Sequence, residues 1–104
     1  MPVVSNTIEL PDGVVPDSIR VEIVLVTSAG VPTAGWIAAD DVAVLSVARF
    51  AASAGSWSVS LHANSGISPA GTRYRVTEFV GGRRYTHTIE VGDGGGSLHD
   101  LLVA

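Results

Sequence analysis

A chain of 104 residues has room for one domain and one modest core, and a net charge of −4 argues against a nucleic-acid partner, because phosphate binding needs surplus basic groups. The absence of cysteine removes disulfide frameworks and thiolate metal sites. Hydrophobic residues make up 46%, but with only two Trp, two Tyr and two Phe the expected core is thin in large side chains, and neighbours in an assembly are expected to add stability.

Residues 3–10 alternate as a first strand that Pro11-Asp12-Gly13 ends, a turn tripeptide in which proline presets φ and glycine supplies a positive one. The clearest strand is 19–27. Ile19, Val21, Ile23 and Leu25 share one face, Arg20 and Glu22 begin the other, and Val24 and Val26 make that second face apolar toward its end, as if covered on both sides. Residues 28–41, with Gly30, Pro32, Gly35 and the pair Asp40-Asp41, read as a long loop around Trp36-Ile37. For 42–50 the β-branched content favours a strand over a helix. A small-residue turn is expected at 51–56, and a short strand at 57–61 with Trp57, Val59 and Leu61 inward.

Residues 73–80 and 83–91 flank Gly81-Gly82, a two-residue hairpin signal. That turn makes partner numbers sum to 163. Tyr74 then faces Ile89, Val76 faces His87 and Glu78 faces Tyr85 on one side, while Arg73 meets Glu90 and Arg84 lies over Phe79 on the other. Residues 92–97 read as a flexible glycine connector and 98–104 as a short apolar tail. Together these give an all-β fold: a single immunoglobulin-like or transthyretin-like antiparallel β-sandwich of about seven strands over 1–104. No leader is read at the start, where Pro2 and polar Ser5 to Thr7 follow Met1, and the apolar runs 23–26 and 42–45 are too short to span a bilayer, so no membrane partner is expected.

The inventory for chemistry is thin. His62, His87 and His99 lack a spacing that puts two ligands on one face, so no metal is expected. His99-Asp100 beside serines lacks a G-x-S-x-G elbow and an orienting third group, so no catalytic residue is assigned. Residues 92–97 lack the lysine of a phosphate loop, and Asp12, Asp40 and Asp41 lack calcium-loop spacing, so no cofactor is expected either. The arginines at 73, 75, 83 and 84 cluster on one hairpin, where a self-paired, solvated face is favoured over an anionic partner. Trp57 is expected in the core. Trp36 is either folded over a sandwich end or offered to a protein or a host cell-surface glycan. The candidate partner contacts are therefore Trp36, Ile37, Arg75 and Arg83.

The pattern Gly55-Ser56-Trp57-Ser58-Val59-Ser60-Leu61-His62-Ala63-Asn64, then Ile67-Ser68-Pro69-Ala70-Gly71-Thr72-Arg73-Tyr74-Arg75-Val76, with Arg84-Tyr85-Thr86, Leu98-His99-Asp100-Leu101-Leu102 and the opening Leu10-Pro11-Asp12-Gly13, resembles β-sandwich domains in virion proteins of tailed phages of actinobacteria. Those are typically N-terminal parts of minor tail proteins and tail fibres. The layout is also similar to transthyretin-like and carboxypeptidase-regulatory-like sandwiches. The resemblance implies a non-enzymatic structural module of the virion tail, with other virion proteins as partners and repeated or homo-oligomeric copies on the particle. Fibres of this type continue past the closing Asp-Leu-Leu into a shaft. The residues to Ala104 hold none, which sets a capsid head decoration protein beside the tail expectation. A free carbohydrate- or protein-binding module is the further alternative.

Overall fold

Alternating apolar and polar side chains resolve into nine strands in the computed structural model, which describes residues 1–53 and 55–103. The strands are β1 (Val3–Thr7), β2 (Ser18–Val26), β3 (Gly35–Ile37), β4 (Val42–Val44), β5 (Val47–Ser53), β6 (Ser56–Ser60), β7 (Arg73–Val80), β8 (Arg83–Ile89) and β9 (Gly96–Ser97). Seven of them build two sheets, ordered β6-β1-β9 and β5-β2-β7-β8, and β3-β4 form a separate ribbon. Two 3-10 turns, at Asn64–Gly66 and His99–Leu101, are the only helical elements among the described residues.

The two sheets enclose one core, which makes the fold a β-sandwich. Val4 and Trp57 enter it from the three-stranded sheet, and Ile19, Val21, Ile23, Tyr74, Val76 and Ile89 from the four-stranded one. Phe50 and Trp57 meet edge-on across the gap, with ring centroids 5.8 Å apart. Burial along β7 alternates without a break, with Tyr74, Val76, Glu78 and Val80 buried. The β7-β8 register has Tyr74 opposite Ile89, Val76 opposite His87 and Glu78 opposite Tyr85, as the Gly81-Gly82 turn predicts. Both turn glycines have positive φ, 57° and 79°, the conformation such a turn demands. Val24 and Val26 are buried too, and Val26 bridges to Pro32 of the following loop.

Three expectations change in detail. The 28–41 loop contains a strand, because Gly35–Ile37 pairs with Val42–Val44. The 42–50 strand breaks at Leu45-Ser46, where the chain leaves β3 and starts pairing with β2; β5 then runs through residues 51–53 of the expected turn. In the 92–97 connector, Gly96–Ser97 runs parallel to Val4 and Ser5 of β1. Backbone demand outweighs flexibility there, since an edge of β1 left bare would strand its polar groups. The apolar tail seals one end, with Leu98 buried and Leu102 bridging to Ile89.

Tyr74 carries a pH-dependent part of this stability. Its hydroxyl donates to the His62 carbonyl at 2.8 Å, and burial pushes the phenol up to about 12. A phenol whose folded value lies above its unfolded value of 10.0 contributes fully below pH 10 and loses that contribution as pH rises toward 12. The urea midpoint is expected to fall across that window, and Tyr74→Phe is expected to flatten the fall. An equal fall in both proteins would assign it to other groups.

Candidate functional site

Two surfaces and one buried cluster hold the residues with chemical potential. The first surface is the β3-β4 ribbon. Gly35 is the residue that seats it: a side chain there would collide with Ile67 and come within 3.2 Å of Leu25, so only glycine lets the ribbon lie flat on the sandwich. Trp36 completes the clamp, its N–H donating to the Ser68 carbonyl at 2.9 Å and its carbonyl accepting from the Ser68 N–H at 2.7 Å. Strand alternation then sorts the side chains. Ile37 is buried, only 7% exposed, and Val44 packs on the core. Trp36 sits opposite Ala43 on the outer face, 51% exposed, and Leu45 beyond it is 78% exposed. A rigid backbone therefore presents an indole and a leucine to solvent.

Of the four candidate contacts, Trp36 is available on this ribbon and Ile37 is not. Ile37 lies in the core because neighbours on a strand face opposite ways. Arg75 sits on the outer face of the four-stranded sheet, its guanidinium donating to the Gly30 carbonyl at 3.3 Å. Arg83 is exposed beside the Gly81-Gly82 turn at the far end of β8. The structure thus does not gather the four into one site.

The second surface is that outer sheet face, where Arg20, Arg49, Arg73, Arg75 and Arg84 stand on four adjacent strands. Self-pairing is sparser than the sequence predicts. Among the described residues one arginine ion pair forms, Arg49 Nε to Glu22 at 2.8 Å. Arg73 makes none with Glu90, which lies past the last β7-β8 pair; its N–H donates instead to Leu101. The cation over Phe79 is Arg20, 5.3 Å from the ring centroid, where Arg84 was expected. The reason is geometric: Phe79 is on a central strand and has an arginine on each side, of which the hairpin register reveals only one. A depression of about 270 Å³ lies between Arg20 and Arg49, with Phe50, Ala51 and Phe79 in its lining.

The buried cluster centres on Glu78, 3% exposed. One carboxylate oxygen accepts from Trp57 Nε1 at 2.6 Å and from Asn6 Nδ2 at 2.8 Å, and the other lies 3.9 Å from His87 Nε2. Asn6 and Trp57 are neighbours on β1 and β6, so the carboxylate binds one sheet to the other. His87, His99 and Tyr85 line a shallow cleft of about 340 Å³ outside it, while His62 caps Tyr74 elsewhere. Among the described residues no group of three or more His, Cys, Asp or Glu side chains is arranged to hold a metal.

No family model matches the chain, and no curated protein is significantly similar to it.

Proposed function

We propose that this chain is a non-enzymatic structural module of a bacteriophage particle, an attachment and assembly unit of the tail that docks on other virion proteins through its β3-β4 ribbon. The observation that carries this reading is the outward face of Trp36, Ala43 and Leu45 on a backbone clamped at Ser68. An exposed tryptophan on an ordered ribbon costs little conformational entropy on docking, and aromatic anchors dominate protein contacts. The motif resemblance around Trp57 and Tyr74 supports the phage context. The acidic balance, −4, supports a protein partner over DNA inside the particle.

The test is incorporation. Particles assembled with Trp36→Ala in place of the wild-type chain are expected to carry less than about a tenth of its copies, the effect of losing one anchor side chain. The isolated variant is expected to stay folded, with a stability loss of no more than about 1–3 kcal/mol, because only half of the ring is buried. Normal incorporation of a folded Trp36→Ala chain would refute docking through the ribbon.

A further inference from the structure

The arginines divide the molecule electrostatically. The outer face of the four-stranded sheet holds Arg20, Arg49, Arg73, Arg75 and Arg84 against Glu22 and Glu90, a formal +3. Everything else holds Arg83 against eight carboxylates, a formal −7, and the two together restore the net −4. Such a face repels a copy of itself, so a symmetric face-to-face dimer is disfavoured there. It attracts the remainder of any neighbouring copy.

One acidic segment suits it best. The connection between β1 and β2 carries Glu9, Asp12 and Asp17, all exposed, interleaved with exposed Leu10, Val14 and Val15. It is held in shape before any contact: the Leu10 N–H donates to the Val14 carbonyl, the Gly13 N–H to the Leu10 carbonyl, and the Val14 N–H to Asp12 Oδ1 at 3.0 Å. None of its carboxylates forms an ion pair within the described residues. The depression on the arginine face matches it in kind. Ala51, opposite Arg20 in the strand register, leaves room between two guanidiniums, and Phe79 supplies an apolar wall.

We infer that the arginine face of one copy receives the acidic, aliphatic-tipped loop 9–17 of a second copy. Carboxylates meet Arg20 and Arg49 while an aliphatic side chain fills the depression against Phe79 and Ala51. Because the two surfaces differ, the contact is head-to-tail. Repeated, it closes into a ring or extends as a row, and it does not stop at a twofold dimer. The inference rests on the assembly reading and adds to it a contact between copies, one that does not use the Trp36 ribbon.

The experiment is sedimentation of the full chain with paired charge reversals. Wild type is expected to self-associate in roughly 20 mM salt and to weaken about tenfold in roughly 500 mM, where screening shortens the reach of surface charge. Arg20→Glu with Arg49→Glu is expected to be monomeric and folded, and so is Glu9→Arg with Asp17→Arg, which spares the Asp12 turn. Mixing the two variants is expected to restore association, because each supplies the surface the other now needs. Trp36→Ala is expected to associate like wild type, so a failure of the ribbon contact stays distinguishable from a failure of this one. A wild type that stays monomeric at low salt, or association indifferent to both reversals, would overturn the inference.

Discussion

Replacing Trp57 with alanine is expected to cost about 3–5 kcal/mol, a large share of the roughly 5–15 kcal/mol that holds a domain folded. Three losses combine. The indole is 4% exposed and fills the space between the sheets, so its removal leaves a cavity in a core that has few large side chains to collapse into it. The edge-on contact with Phe50 disappears. The indole N–H that meets Glu78 at 2.6 Å is deleted, which leaves a buried carboxylate short of a donor. Urea unfolding followed by circular dichroism is expected to show a midpoint far below that of the wild type. Trp57→Phe retains most of the volume and is expected to cost less, about 1–3 kcal/mol, chiefly for the missing donor. A Trp57→Ala protein of near-normal urea midpoint would show that the ring does not hold the sheets together.

The second large effect is expected at Glu78. Glu78→Ala removes the acceptor shared by Asn6 and Trp57, leaving the buried indole N–H unmet and the half-buried Asn6 amide without its protein partner, at a cost of about 2–4 kcal/mol. Glu78→Gln keeps an acceptor oxygen and is expected to cost distinctly less. The discriminating measurement is a double-mutant cycle. Trp57→Phe and Glu78→Leu, combined, are expected to cost at least about 1 kcal/mol less than the sum of the singles, because each removes the same bond. Strict additivity would mean that the carboxylate and the indole do not depend on one another.

These two residues also mark the boundary of what can be read before a structure. That Trp57 points inward follows from Trp57, Val59 and Leu61 alternating on a short strand, and the β7-β8 register follows from a glycine pair that admits one tight turn. Both are local. That Glu78 receives Asn6, 72 positions away, is not local, and an acid on an alternating strand carries no sign of its partner. The β3-β4 ribbon escaped for a related reason. Its strands are three residues each, too short for periodicity, and its seat depends on Gly35 meeting Ile67 and Leu25, residues distant in the chain. The parallel pairing of Gly96–Ser97 with β1 is invisible in a glycine-rich stretch, since its donors and acceptors come from the backbone alone. The arginine face needed the strand order. Arg20 and Arg49 join Arg73, Arg75 and Arg84 only once β5 and β2 lie beside β7.

Trp36 was legible as an aromatic with no assigned place. Ile37 follows it in a segment whose glycines and proline signal a loop, and strand geometry separates the two onto opposite faces.

The proposal of a tail assembly module is tested most directly by counting copies of this chain in purified virions by quantitative mass spectrometry. The account predicts a small fixed number per particle, unchanged on high-salt washing that strips adventitious protein. Hundreds of copies would move the chain from the tail to the capsid surface, and its absence from the particle would contradict a structural role in the virion altogether.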